Sequence, residues 1–255
     1  MTAAIEVNGL VRGPLAGVDL AVFPGELVVL IGANGVGKST LLLAIAGLRG
    51  AAGRVRIAGH PGGSRLARQA LGFAPERPAF PEDADAHAYA RWLASLSGIS
   101  TGDVDRQLAA LAVPAGRIGT LSSGALTRLA LAAALSGHPR AVLADEPFTG
   151  IDAEGALRVG QALATAAAAG AGVLVATHRL GTLATRASRV LRLEGGQIVN
   201  LGSPAAALST RSRILSLVRG ELTEVEVGDA AAEVARITDA GGRVLRIEPE
   251  LGEGG

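Results

Sequence analysis

The chain has 255 residues, 49% of them hydrophobic and 18% charged, so it is long enough and apolar enough to bury a substantial core. It contains no cysteine, which excludes disulfides, thiolate metal sites and a cysteine nucleophile. The 24 basic and 23 acidic residues give a formal net charge of +1, and only 2% of residues are aromatic. Neither value favours a nucleic-acid-binding protein, so we expect no nucleic-acid partner.

The sequence carries no pattern typical of export or of membrane insertion. Residues 1–6 lack a basic stretch followed by an apolar run, so no secretory signal is predicted. The longest uncharged stretch, residues 159–177, is interrupted by Gly160, Gly170 and Gly172 and lacks the bulky apolar character of a spanning helix. We therefore predict a cytoplasmic protein, and this prediction leaves docking on a membrane partner open.

The first fifty-seven residues predict a small antiparallel sheet and the first strand of a buried one. Apolar residues alternate over 5–7, 18–22 and 54–57, which favours antiparallel strands with one wet face. Residues 27–31 form a continuous apolar run, typical of a strand that is buried on both faces. A helix is predicted next, over residues 40–48.

The middle of the chain predicts a helical insert, at about residues 77–138. It begins in a loop with three prolines, at positions 75, 78 and 81. Thr101 is a candidate cap for the second helix, with Asp103 in its first turn. Three helices are predicted here, over residues 85–97, 103–112 and 123–135.

Strand-like and helix-like segments alternate again after the insert. Short apolar runs predict strands over residues 141–144, 172–176 and 189–193, and residues 153–168 predict a helix. Strand–helix–strand order with crossovers of this length indicates a mainly parallel sheet covered by helices, the α/β class. We expect one domain over residues 1–204, built from this core, the antiparallel strands and the insert.

The remaining residues, 205–255, predict a small C-terminal extension. A helix is expected over residues 205–217, an edge strand over 222–227, a helix over 229–240 and a strand over 243–247. The last helix precedes Gly241, a common helix stop. The last three elements predict a βαβ unit.

The segment from Gly32 to Thr40 is the strongest chemical signal in the chain. It fits the P-loop pattern G-x-x-x-x-G-K-[ST], follows a predicted strand and opens a predicted helix. Glycines let backbone N–H groups turn inward to phosphate oxygens, and the helix N-terminus adds positive charge. Lys38 is the only lysine in the chain and is predicted to reach the β- and γ-phosphates. The predicted nucleotide-binding residues are Asn34, Gly35, Val36, Gly37, Lys38, Ser39 and Thr40.

Two carboxylates end the predicted strand at residues 141–144. Asp145 would hold Mg²⁺ together with the hydroxyl of Ser39, and Glu146 would act as general base toward the attacking water. An acidic strand end is unremarkable alone, but its pairing with the P-loop favours this function. We therefore predict ATP and Mg²⁺ as ligands and Lys38 and Glu146 as catalytic residues.

The segment 121–125, Leu-Ser-Ser-Gly-Ala, begins the third helix of the insert. Here the sequence resembles the ATP-binding cassette (ABC) ATPases, whose signature reads Leu-Ser-Gly-Gly-Gln, and the order and spacing of the motifs match over residues 1 to about 202. The resemblance implies that Ser122, Ser123 and Gly124 bind the γ-phosphate of ATP held by an opposite subunit. Ser123 stands where the family usually has Gly, and Ala125 where it has Gln.

The resemblance implies roles for three further segments. Residues 150–152 look like the D-loop, which contacts the opposite subunit, and His178 looks like the switch histidine that senses the γ-phosphate. Glu76 occupies the position of the Q-loop glutamine; it can ligate Mg²⁺ but cannot donate as an amide does. The run around it, residues 72–76, is similar to the drug- and antibiotic-export branch.

The aromatic residue on which the family usually stacks adenine is missing upstream of the P-loop. The candidate replacements are Arg12, whose guanidinium plane can stack on a base, and Val11, which can contact a base by its apolar side chain. We therefore list Arg12 among the nucleotide-binding residues.

The function implied by the resemblance is ATP hydrolysis that drives a membrane transporter, an exporter. A second ABC ATPase subunit, the same chain or a paralogue, would close over ATP, and separately encoded permease subunits would dock on the helical insert at the cytoplasmic face of the membrane. Phe80, Tyr89 and Trp92 would either line that docking groove or form the core of the insert. Two alternatives stay open: a regulatory or structural ABC subunit paired with a more active partner, and a soluble ABC ATPase outside transport.

Overall fold

The structure is a computed structural model that describes residues 2–178, 180–207, 212–218, 221–227 and 230–249. The strands in this part of the chain are β1 (Ile5–Arg12), β2 (Leu15–Val22), β3 (Leu27–Ile31), β4 (Ala52–Ile57), β5 (His60–Pro61), β6 (Leu71–Ala74), β7 (Ala141–Asp145), β8 (Gly172–Ala176), β9 (Arg189–Glu194), β10 (Gln197–Gly202), β11 (Ser212–Val218), β12 (Glu221–Val227) and β13 (Arg243–Pro249). The α-helices are α1 (Lys38–Ile45), α2 (Arg65–Ala70), α3 (Ala86–Ser95), α4 (Thr101–Ala110), α5 (Ser123–Leu135), α6 (Ala153–Ala168), α7 (Pro204–Ala207) and α8 (Ala230–Asp239).

A six-stranded sheet in the order β10-β9-β3-β8-β7-β6 carries the centre of the molecule. Its strands are parallel except for β10, which pairs antiparallel with β9 at the edge. Every residue of β3, β7 and β8 is buried, as expected for continuous apolar runs covered on both faces. The predicted parallel core is therefore confirmed, and β6 adds an edge strand that the sequence analysis did not predict.

The N-terminal strands form a second, antiparallel sheet in the order β2-β1-β4-β5. Helix α1 lies between the two sheets, because Leu41, Leu42 and Ile45 pack with Ile5 and Leu20 in one buried cluster. The antiparallel arrangement predicted for this region is confirmed. This sheet covers one side of α1 and thereby holds the N-terminus of the helix close to the end of β3.

The insert is helical, as predicted, and consists of α3, α4, a short 3-10 helix (Ile118–Thr120) and α5. Ser100, not the predicted Thr101, caps α4: the Ser100 hydroxyl accepts the Asp103 N–H at 3.2 Å. Ser100 has the extended backbone that a cap requires, while Thr101 is already helical. Phe80 and Tyr89 pack against a buried cluster that joins the insert to the large sheet.

The helix predicted over residues 205–217 is wrong for its second half. Of the described residues there, Pro204–Ala207 is helical, whereas Ser212–Val218 is the central strand of an antiparallel sheet in the order β12-β11-β13. Residues 208–211 of the predicted helix lie outside the described residues. Strand β11 pairs along its length with both neighbours, and this pairing outweighs the helix propensity of its leucines. The predicted strand–helix–strand unit is present as β12, α8 and β13, with β11 inserted between its two strands.

Candidate active site

The loop between β3 and α1 has the backbone shape of a phosphate cradle. Gly35 and Gly37 adopt positive φ angles, +80° and +116°, which L residues with side chains rarely adopt. A Cβ atom on Gly37 would lie 3.0 Å from the ring of Pro14 and 3.1 Å from Leu15. The turn between β1 and β2 therefore packs directly on the loop, and only glycine fits beneath it.

The N-terminus of α1 has free hydrogen-bond donors. Gly37 is its N-cap and supplies no side-chain acceptor, so the first N–H groups of the helix lack the usual cap. No acidic residue lies in the first turn. Unpaired amides and the positive end of the helix dipole together favour a phosphate ligand.

The ammonium group of Lys38 lies inside this cradle. The residue is 6% exposed, and its Nζ donates to the carbonyl oxygens of Gly32 at 2.7 Å and Ala33 at 3.2 Å. Nζ also lies 3.8 Å from Oε1 of Glu146. The only lysine of the chain is therefore buried beside a carboxylate at the carboxyl end of the sheet.

Asp145 ends strand β7 next to the P-loop. It is 4% exposed, and the Ser39 hydroxyl donates to its carboxylate. Burial, reinforced by the nearby carboxylates of Glu76 and Glu146, raises the pKa of Asp145 to about 6, although the Ser39 hydrogen bond and Lys38 oppose the shift. The site thus holds more negative charge than its own cations balance.

The residues predicted to hold Mg²⁺ fit that ion. Oδ1 of Asp145 is buried and has no hydrogen-bond partner among the described residues, although native structures rarely leave such an atom unsatisfied. The Ser39 hydroxyl adjoins this carboxylate, and Glu76 lines the same pocket. Carboxylate and hydroxyl oxygens beside a phosphate cradle are the donor set of a Mg²⁺ site.

Glu146 is held by its neighbours in an uncommon backbone conformation. Its φ angle is +46°, and its N–H donates to the Ala176 carbonyl oxygen at 2.8 Å. Its Oε2 accepts the Thr177 hydroxyl at 3.1 Å and lies 2.9 Å from Nδ1 of His178. Non-glycine residues with such angles cluster at functional sites. The carboxylate is therefore fixed at the mouth of the P-loop pocket.

A pocket of about 380 Å³ collects most of the predicted residues. Asp145 adjoins it through Ser39, and Val36 packs inward from the same loop. The pocket is lined by Asn34, Gly35, Gly37, Lys38, Ser39, Thr40, Glu76, Glu146, Thr149 and His178.

Sequence reasoning did not single out two residues of this site, Thr149 and Thr177. Thr177 is 1% exposed and supports Glu146 from the adjacent strand. Thr177 could have been predicted from its position directly after β8, which places it at the same sheet edge as Asp145.

The segment Ser122–Gly124 does not line this pocket. The Ser122 hydroxyl caps α5 by accepting the Ala125 N–H at 3.2 Å. A Cβ atom on Gly124 would lie 2.4 Å from the Gly150 carbonyl oxygen, and one on Gly150 would lie 2.7 Å from the Ser123 hydroxyl. The start of α5 is therefore packed tightly on the loop that follows Glu146.

Arg12 also lies outside the pocket. It is exposed at the end of β1 and pairs across the turn with Leu15. The turn that follows Arg12 packs on Gly37 through Pro14 and Leu15. Stacking on a base stays a prediction.

Fold and site together define the class of this protein. A parallel α/β sheet, a glycine loop leading into a helix, a buried lysine and adjacent carboxylates at the strand ends are the parts of a P-loop nucleotide triphosphatase. Among the described residues, no helix is long and apolar enough to cross a membrane.

Comparisons with known proteins identify the family. The profile described as ABC transporter matches residues 15–149. The chain is 35% identical to the Hemin import ATP-binding protein HmuV of Nocardia farcinica, over 80% of this chain and 75% of that one. It is 34% identical to the Phosphonates import ATP-binding protein PhnC of Stutzerimonas stutzeri, over 83% and 88%.

A solved structure described as the ATP-binding subunit of an ABC transporter superposes with a TM-score of 0.70 at 28% identity, over 78% of this chain and 90% of that one. The chain belongs to the ABC transporter family and is an ATPase of that family. The predicted resemblance to the ABC ATPases, the fold class and the enzymatic activity are therefore confirmed, whereas the resemblance to the export branch stays a prediction.

Proposed function

We propose that the chain is the ATP-hydrolysing subunit of a membrane transporter and works as a pair of ATPase subunits on separately encoded permease subunits. The observation that carries the proposal is the convergence of Lys38, Glu146 and His178 on one pocket beside Asp145. Such a set binds a triphosphate and positions a base next to it. The family membership supports the coupling of this chemistry to transport.

Each side chain has a task in this proposal. The free amides of α1 and the Lys38 ammonium hold the phosphates, and Ser39, Asp145 and Glu76 would hold Mg²⁺. The ion supplies charge neutralisation for the phosphate oxygens. In the described part of the chain, no three His, Asp or Glu side chains are placed to hold a metal by themselves, so phosphate oxygens would complete the ligand set.

Glu146 is the proposed general base. Its carboxylate would accept the proton of the water that attacks the γ-phosphorus. Thr177 and His178 contact the same oxygen, Oε2, and thereby fix the direction of Oε1 toward the pocket and Lys38. His178 is partly exposed, so it can also meet the γ-phosphate.

A second ATPase subunit is proposed because the pocket of this chain lacks the predicted segment Ser122–Gly124. Ser122, Ser123 and Gly124 lie outside the pocket and present a capped helix N-terminus. A helix N-terminus favours anions, so a second copy or a paralogue can bring this segment to the phosphates. Two ATP molecules would then lie between the subunits.

The permease would dock on the helical insert. Trp92 is 54% exposed and packs against the Tyr89 ring, with ring centroids 5.4 Å apart and planes tilted by 36°, and Leu96 is exposed one turn further. Large apolar side chains on a surface favour a protein partner. We place the subunit on the cytoplasmic side, where ATP is available. Export stays a prediction based on residues 72–76, whereas both relatives cited above are named for import.

The test is ATP turnover by the purified chain, beside Glu146→Gln. The variant should lose turnover by about 10²–10³-fold while keeping ATP affinity, and should form an ATP-bound dimer in light scattering with Mg²⁺. Glu154→Gln is the matched control, because Glu154 is exposed on α6 and its one ion pair within the described residues is with Arg158. Equal turnover in wild type and Glu146→Gln would contradict the role of Glu146, and a monomer under every condition would contradict self-pairing.

One alternative has an observation in its favour. Ser123 and Glu76 both depart from the family's usual residues, which suits a regulatory subunit paired with a more active partner. A single-turnover assay separates an active subunit from a regulatory one. An active subunit hydrolyses its bound ATP without a paralogue. A regulatory subunit also binds ATP but hydrolyses it only when the partner is present.

A further inference from the structure

A second cavity, of about 1090 Å³, lies at the opposite edge of the large sheet from the P-loop. Pro24, Arg140 and Ala171 line it, and the last two directly precede β7 and β8. The P-loop, Glu146 and His178 instead follow the carboxyl ends of the strands. The cavity is therefore separate from the nucleotide pocket and plays no part in the chemistry proposed above.

The inner wall of this cavity is apolar. Leu135 at the end of α5 faces one flank of α6, which contributes Leu157, Ala162 and Ala166. The small alanines of α6 leave width that larger side chains would fill. A cavity of this volume with a mostly apolar wall is typical of small-molecule sites.

The cavity is rich in cations. Arg106, Arg140, Arg158 and Arg186 line it, and its described lining includes no Asp or Glu. Two of these arginines form ion pairs with nearby carboxylates: Arg106 lies 3.0 Å from Asp103, and Arg158 lies 2.7 Å from Glu154.

The other two arginines are not balanced in this way. Within the described part of the chain, Arg140 and Arg186 have no carboxylate at ion-pair distance, and Arg186 donates only to the Thr182 carbonyl oxygen, at 3.0 Å. His138 adds a further basic side chain to the lining, 3.9 Å from Asp103. The cavity therefore combines an apolar wall with excess positive charge.

We propose that this cavity binds a small amphipathic anion, with its apolar body against α6 and its carboxylate or sulfonate at Arg140 and Arg186. Guanidinium groups pair well with planar or tetrahedral oxyanions. Hydrocarbon that covers the apolar wall removes its surface from water, which contributes favourable free energy to binding. A neutral apolar molecule would contact only the apolar wall, and inorganic phosphate would contact only the arginines.

The probe is 8-anilinonaphthalene-1-sulfonate, followed by its fluorescence and displaced with decanoate. N-phenyl-1-naphthylamine, which has the same rings without the sulfonate, is the uncharged comparison. Saturable binding of one sulfonate probe per chain is expected, and decanoate should displace it. Absence of saturable binding, or a failure of decanoate to compete, overturns the proposal.

Two variants locate the site. Ala166→Trp fills the cavity and should weaken binding of both probes at least about tenfold, while Ala168→Trp, on the exposed side of the same helix, should change it by less than about twofold. Arg140→Gln should weaken the sulfonate probe about tenfold and leave the uncharged probe within about twofold.

Folding is checked independently by ATP turnover, which all three variants should retain, because none of these residues belongs to the nucleotide site. Arg140 is exposed, so its variant keeps the proposal testable even if Ala166→Trp fails to fold. Equal sulfonate affinity in wild type and Arg140→Gln would overturn the proposed anion site.

Discussion

Replacing Gly124 by alanine would place a methyl group against the backbone of the loop that follows Glu146. The new Cβ would lie 2.4 Å from the Gly150 carbonyl oxygen and 3.1 Å from the carbonyl carbon. Ordinary van der Waals contact begins at 3.4 Å, so the distance to the oxygen is about 1 Å too short. Both partners are backbone atoms, so neither can relieve the clash by a rotamer change. Helix α5 and this loop must therefore separate.

The expected cost follows from that displacement. Overpacking of this kind costs about 1–3 kcal/mol, and for a chain of this size each kcal/mol lowers the melting temperature by about 2–4 °C. If the start of α5 contacts the phosphates, as the proposed function requires, misplacing it by about 1 Å lowers turnover by on the order of 10²-fold. ATP affinity at the P-loop should stay unchanged, because Gly124 does not line that pocket.

Gly102→Ala is the matched control for this prediction. Gly102 is also the second residue of its helix, α4, but a Cβ there would meet only the Ser100 hydroxyl, at 3.8 Å. This variant should gain up to about 1 kcal/mol from helix propensity and keep full turnover. Thermal unfolding followed by circular dichroism, together with an ATPase assay, compares the two. If Gly124→Ala melts and turns over like Gly102→Ala, the tight contact with Gly150 is refuted.

The remaining predictions concern single side chains of the site. Thr177→Val removes a buried hydroxyl from Glu146 at nearly constant shape; it should lower kcat about tenfold with an unchanged Kd for ATP, and an unchanged kcat would contradict the positioning role. Because the pKa of Asp145 is raised to about 6 in the folded chain, folded Asp145 binds more protons than unfolded Asp145 between about pH 4 and 6, so the stability it contributes falls as pH rises through that window. Asp145→Asn should therefore be more stable than wild type above pH 6 in metal-free urea unfolding, with the difference vanishing near pH 4; a difference independent of pH would refute the raised pKa. Glu76→Gln should raise the Mg²⁺ concentration for half-maximal turnover about three- to tenfold, and a decrease would show that Glu76 only repels Asp145. Ser123→Gly, which restores the family's usual residue, should change turnover by less than about threefold, whereas a gain of tenfold or more would favour the regulatory alternative.

The sequence was sufficient where a local pattern and its physical cause coincide. Strand β3 and helices α5 and α6 begin and end where the sequence predicts, because each has a continuous apolar run or a clear cap. The P-loop was predictable because its chemistry requires glycine, lysine and a hydroxyl at fixed spacing within one turn.

Features that depend on distant pairing were not predictable. Strand β11 contains leucines that suit a helix, and only its pairing with β12 and β13 makes it a strand. The four-residue strand β6 is extended because it completes the sheet edge beside β7. Thr177 acts on a carboxylate 31 positions away in the chain, a relation that no local spacing reveals.

The departure at Ser123 has a structural explanation in the contact between α5 and the loop at Gly150. The Ser123 hydroxyl lies 2.7 Å from the position that a Cβ on Gly150 would take, so the absence of a side chain at Gly150 leaves room for this hydroxyl in its present rotamer. Gly150 has no side chain, and its φ angle of +71° is one that glycine adopts readily. The cap at Ser122 and the close approach of Gly124 are both kept beside it. Because the serine is accommodated by its neighbour, the helix N-terminus that would face the phosphates stays intact, which favours an active subunit over a regulatory one.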